Sequence, residues 1–177
     1  MITIIEGVDR VGKSSLARSL ANIMPDHALV HCVVPPAGEH VFDYHRRMLS
    51  TSSNLIVDRL HWSEYAYGST YRSGCAYSAR QWKELEDILV SRGARVILMS
   101  DALVSIKKRW TDAEEFDVAG LVRLNGFFFD LFYDRADLVS RLPKISLNWR
   151  DIFNPDGSSR PGALDSVKAY ADGGDAS

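Results

Sequence analysis

The stretch Gly7-Val-Asp-Arg-Val-Gly12-Lys13-Ser14 constrains this chain more than any other part of it. Two glycines with four residues between them, followed at once by lysine and serine, let a backbone curl until successive N–H groups face one anion. The flanks agree. Ile2 to Ile5 is a short apolar run that reads as a strand, and Leu16, Leu20 and Ile23 recur at helical spacing until Pro25 ends the pattern. A strand, a glycine loop and a helix in that order place the positive end of the helix dipole on a bound phosphate. In such a loop Lys13 reaches the terminal phosphates as a point charge and the Ser14 hydroxyl takes a place on Mg²⁺. A glycine turn that merely starts a helix would require neither the lysine nor the serine.

The rest of the chain alternates in the same way. Ala28 to Val34, Asn54 to Val57, Arg95 to Met99 and Lys144 to Leu147 read as further strands, with helices at Ala79 to Ser91, Ala102 to Trp110 and Val118 to Arg135. Short apolar strands alternating with helices imply βαβ units and a parallel sheet covered on both faces. At 177 residues this makes one domain, expected over 1–153, and the polar stretch 154–177 reads as a loop-like tail. Two cysteines form no disulfide framework, and neither a signal peptide nor an apolar run of membrane-spanning length is apparent, so a cytoplasmic protein is expected. A net charge of −2 offers no basic field for nucleic acid, so any anion must be gripped locally. Arginines outnumber lysines 15 to 6, a bias suited to bidentate phosphate contacts.

A second motif follows the third strand: Asp58-Arg59, then Ser63, Ala66 and Tyr67. In an open parallel sheet, residues at the carboxyl end of a strand beside the phosphate-loop strand face the ligand crevice. An arginine there can bridge two phosphates between which a phosphoryl group moves. Asp58 can orient that arginine or hold a water of Mg²⁺, although a plain surface ion pair would use the same two residues.

Together, Glu6-Gly-Val-Asp9-Arg10-Val-Gly-Lys-Ser14 and Asp58-Arg59-x-x-x-Ser63-x-x-Ala66-Tyr67 resemble the thymidylate kinases, in particular the compact deoxynucleoside-monophosphate kinases of bacterial viruses. The resemblance runs from Met1 to about Asp151. It implies a three-layer α/β P-loop fold with about five parallel strands and a short lid, and a family that is generally dimeric. It also implies transfer of phosphate from MgATP to a deoxynucleoside monophosphate, with dTMP the favoured acceptor. On this reading Asp9 approaches the 3′-hydroxyl, Arg59 binds the acceptor phosphate, and Tyr67 lies where a 2′-hydroxyl would clash. Gly7, Arg10, Gly12, Lys13, Ser14 and Ser15 form the ATP site, with Arg109 and Arg150 as further contacts; Lys13, Arg10 and Arg59 carry the catalysis. Arg10 meets the γ-phosphate in the branch of the family whose lid lacks a catalytic base, and the acidic lid candidate Trp110 to Asp117 fits that branch.

The chain departs from the family pattern after the second strand, where Val34-Pro-Pro-Ala-Gly-Glu39 replaces the expected Arg-Glu-Pro-Gly-Gly. The arginine that grips the acceptor phosphate is missing. One short helix spans the following region, and Phe42 and Arg46, four apart, are candidates to stack on and bond the base, with Arg72 a rival; core packing of Phe42 is the competing reading. A different or broader acceptor (dGMP, dCMP or a modified pyrimidine nucleotide) therefore stays open. So does a deoxynucleoside kinase, for which Glu39 is the one candidate base. Asn148-Trp-Arg-Asp151 mimics a guanine-reading motif but lacks its lysine. The Val118–Arg135 helix is apolar nearly all round, as suits deep burial or a second subunit, and the resemblance to a generally dimeric family implies a homodimer.

Overall fold

A computed structural model describes residues 1–109, 117–136 and 138–174. Five parallel strands form one sheet: β1 (Ile2–Glu6), β2 (Ala28–His31), β3 (Leu55–Asp58), β4 (Arg95–Ser100) and β5 (Lys144–Asn148), in the spatial order β2-β3-β1-β4-β5. Isoleucine-rich β1 lies at the centre with every residue buried, as expected of a strand covered on both faces. The β1–β3 register sets Ile5 opposite Asp58, and the β2–β3 register sets His31 opposite that same Asp58. Between β1 and β3 the winding reverses, and the crevice at that switch point is where the two sequence motifs meet.

The helices follow their local signals. Helix α1 (Lys13–Ile23) buries Leu16, Ala17 and Leu20, while α2 (Val41–Leu49) and α3 (His61–Tyr71) flank β3 in sequence. Helix α4 (Ala79–Ser91) matches the sequence reading, because Ser78 and Gln81 close a reciprocal capping box and Trp82, Leu85 and Leu89 supply the buried stripe. After α5 (Leu103–Lys108), helix α6 (Val118–Phe132) starts where the Asp117 carboxylate accepts the Gly120 N–H at 2.8 Å. It ends three residues earlier than its apolar run suggests, at a turn where Asp134 takes a left-handed φ of 55°.

Two expectations are corrected. The second strand stops at His31, because the next residues leave the sheet toward Pro35-Pro36 and Val34 is 87% exposed. The stretch from 154 onward is also no loose tail. After α7 (Trp149–Ile152), Phe153 pairs with Ser159, and a turn returns the chain into α8 (Ala163–Ala171). Val167, Tyr170 and Ala171 are buried, and the Arg95 guanidinium donates to the carbonyls of Gly173 and Gly174, both at 2.8 Å. The same guanidinium covers the Tyr170 ring at 5.0 Å, so this segment belongs to the domain. The turn is polar enough to read as loop, and the apolar stripe behind it is too short to announce a helix.

Candidate active site

The loop after β1 adopts the strained path its glycines permit. Gly7 and Gly12 have φ of 136° and 94°, and a Cβ would drive Gly7 into the Met99 carbonyl and Gly12 into the Trp149 ring. Arg10 also lies in the left-handed region, at 63°. Lys13 is 4% exposed, and its ammonium folds back to donate to the Val8 carbonyl at 2.5 Å. Burial, and then the neighbouring Arg59 cation, lower its pKa to about 7. The lysine is therefore stored inside the loop, where Asp9, Asp58 and Glu6 offset its burial only in part and an arriving phosphate would add counter-charge.

Across the crevice, Arg59 has φ of 72° and its N–H donates to the Ile5 carbonyl at 3.0 Å. Glu6 holds that turn. Its fully buried carboxylate accepts the backbone N–H groups of Leu60, Trp62 and Ser63 at 2.9, 3.2 and 3.3 Å, and the Ser63 hydroxyl at 2.5 Å. Glu6 thus caps α3 from a different strand. Burial pushes its carboxyl above the usual range against the pull of those donors. The Arg59 guanidinium pairs with Asp9 and lies 5.1 Å over the Tyr67 ring, whose hydroxyl donates to Asp9 at 2.7 Å. Burial raises the Asp9 carboxyl, but Arg59, Tyr67 and Lys13 together hold it below the ordinary carboxylate range. Loop and strand motif are thus joined through Asp9, Arg59 and Tyr67.

These residues open onto a cavity of about 640 Å³ whose walls include Arg59, Ser63, Tyr67 and Arg72. Phe42 and Arg46 are not on it. Phe42 packs edge-on against Tyr77 at 6.2 Å, and Arg46 faces Asp43 and Glu84. The helix is rotated so that Val41 and His45 line the cavity instead. His45 bonds the Tyr77 hydroxyl, and burial lowers its pKa to about 4, so it is a neutral polar group in an apolar wall. Arg72 does line the cavity and donates to the buried Glu64 carboxylate at 2.8 Å. Glu39 lies outside it, held by both of its oxygens on Arg47 at 3.0 and 2.8 Å.

On the donor side, Arg109 donates to the Arg10 carbonyl and to Asp101, each at 2.8 Å, and lies 5.0 Å over the Trp149 ring. Arg150 donates to the Ser105 hydroxyl at 2.5 Å and lies 3.5 Å from the buried Asp101. Both arginines are thus gathered at the loop by a carboxylate the sequence did not single out. The Asn148 side chain accepts the Arg150 N–H at 3.0 Å and so serves as a helix cap. Of the lid candidate, 110–116 lie outside the described residues.

The Ser14 hydroxyl donates to Oδ2 of Asp58 at 2.6 Å, and His31 Nδ1 lies 2.9 Å from the same oxygen. The other oxygen, Oδ1, is buried without a hydrogen-bond partner among the described residues. A hydrated Mg²⁺ fits these groups. Ser14, whose O–H points at Oδ2, keeps lone pairs for a cation, and the orphaned Oδ1 can accept from a metal-bound water.

No protein-family model matches the sequence, and no curated protein matches it. The fold and the loop give the chain a three-layer α/β P-loop architecture. Among solved structures, the YorR protein from Bacillus subtilis, in complex with phosphorylated GDP, superposes with a TM-score of 0.74 at 18% identity, covering 96% of this chain and 95% of that one. Deoxyadenosine kinase from M. mycoides with bound dATP gives a TM-score of 0.60 at 10% identity over 97% and 100%. Thymidylate kinase from Candida albicans reaches 0.47 at 17% identity over 83% and 84%, too low to carry an argument.

Proposed function

We propose that this protein transfers the γ-phosphoryl group of ATP to a deoxynucleoside monophosphate, with dTMP as first candidate, and that it works as a homodimer. The observation that carries the reading is the placement of two cation sites across one crevice: Lys13 and Ser14 in the loop, and Arg59 on the cavity wall, joined through Asp9. One grips a donor, the other an acceptor. Lys13 would leave the Val8 carbonyl for the donor phosphates, Arg10 would neutralise charge spreading over the transferred group, and Arg59 would exchange Asp9 for the acceptor phosphate. Asp9 and Tyr67 would then be left to orient the sugar. Mg²⁺ on Ser14 and the Asp58-held water would neutralise the phosphates. Because the acceptor is itself an anion near neutral pH, positioning and charge suffice and no strong base is needed.

A deoxynucleoside kinase is the second reading, favoured by the likeness to deoxyadenosine kinase. Against it, removing a proton from a 5′-hydroxyl requires a carboxylate free to act; Glu39 is clamped to Arg47 away from the cavity, and Glu64 on the cavity wall is engaged by Arg72 and the Ala76 N–H. ADP release from MgATP, measured against dTMP, dUMP, dCMP, dGMP, dAMP, UMP and thymidine with Lys13→Ala as blank, decides between them. Turnover with dTMP is expected. Turnover with another monophosphate would replace the base, and turnover with thymidine alone would replace the reaction.

A further inference from the structure

We propose that His31 is a positioning residue of the divalent-cation site, an inference that rests on the nucleotide-kinase reading above. Asp58 is 2% exposed, and its two oxygens are treated unequally. Oδ2 receives both the Ser14 hydroxyl and His31 Nδ1, whereas Oδ1 receives no donor from the described residues. A carboxylate only accepts, so the imidazole proton sits on Nδ1 and points at Oδ2. Two donors on one oxygen fix the carboxylate's rotation about its own axis. That leaves Oδ1 for the water shell of the cation and keeps the lone pairs of Ser14 turned toward the same point. His31 is placed there by topology: β2 pairs with β3 so that His31 is the partner of Asp58, at the last position before the chain leaves the sheet. Its side chain is 51% exposed and stands between the acceptor cavity and a smaller cleft of about 210 Å³ beside Ser14. A half-exposed imidazole contributes little to the core, so its removal tests orientation with small risk to the fold.

The test is Mn²⁺ binding, followed by electron paramagnetic resonance of the free ion, to the complex with a non-hydrolysable ATP analogue. Wild type, His31→Ala and His31→Asn are compared, and analogue affinity without metal is measured in parallel. Groups bonded directly to a metal ligand typically set metal affinity by about 10- to 100-fold, and His31 acts one step further out through Asp58, so His31→Ala should weaken Mn²⁺ binding by roughly 3- to 10-fold and leave metal-free analogue affinity unchanged. Asparagine can place an amide N–H where Nδ1–H was, and should restore binding toward wild type. Unchanged Mn²⁺ affinity in His31→Ala would overturn the proposal, and equal loss in His31→Ala and His31→Asn would overturn it too, by making the imidazole a ligand rather than a donor to Asp58. Failure of the wild type to bind the analogue at all would overturn the kinase reading beneath it.

Discussion

Lys13 is the residue whose environment departs furthest from what its type prefers. A buried ammonium beside Arg59, hydrogen-bonded to the Val8 carbonyl and only partly offset by the carboxylates of Asp9, Asp58 and Glu6, is the cost of a loop prepared for phosphate. Its folded pKa of about 7 lies below the ordinary lysine value of 10.5, so the folded chain releases the proton first as pH rises. The resulting destabilisation is fully present below pH about 7 and disappears progressively toward 10.5, with a slope of up to about 1.4 kcal/mol per pH unit. Lys13→Met should therefore melt above the wild type near pH 6, with the gap closing as pH rises through that window. Differential scanning calorimetry over the range checks it, and a pH-independent gap would mean that the ammonium is not desolvated in the ligand-free protein.

At the scale of elements, α3 and α8 show two ways in which a helix escapes a reading by periodicity. Helix α3 has no side-chain cap of its own at Leu60, and its cap is Glu6, 54 residues earlier in sequence. A local scan for capping residues has nothing to find. Helix α8 spans nine residues whose buried positions, Val167, Tyr170 and Ala171, make one short stripe behind a polar turn. Its docking is a contribution to stability, since Tyr170 fills the space under Arg95 and reaches the Val96 carbonyl. Tyr170→Ala should cost about 3 kcal/mol and lower Tm by roughly 10 °C. An unchanged melting curve would make the segment an appendage after all. Helix α2 illustrates a smaller displacement, in which i, i+4 spacing finds a face but not which of its adjacent rows meets the cavity. Positions 41 and 45 do, in place of 42 and 46.

At the scale of the molecule, the apolar excess of α6 is largely absorbed inside the chain. Leu121, Leu124, Phe128 and Leu131 are buried, and Phe127 meets Tyr65 edge-on at 5.7 Å. Val118, Val122 and Tyr133 stay at least half exposed along its outer side. A homodimer using that side should sediment at twice the chain mass, and Val122→Glu should shift it to monomer; a wild type that sediments as a monomer at micromolar concentration would remove the dimer from the reading. Among the described residues, no helix is long and apolar enough to cross a membrane.

The sequence by itself determined what local chemistry determines. A glycine loop between an isoleucine strand and an amphipathic helix admits one path, and Asp58-Arg59 at a strand end beside it faces the same crevice. Lys13, Ser14, Asp9, Arg59 and Tyr67 were legible because each belongs to a short pattern. Only the tertiary structure decided that Glu6 caps α3, that His31 and Ser14 share one oxygen of Asp58, and that Asp101 gathers Arg109 and Arg150. Those contacts join residues far apart in the chain. Strand order and register bring them within hydrogen-bond distance, and neither leaves a periodic trace in the sequence.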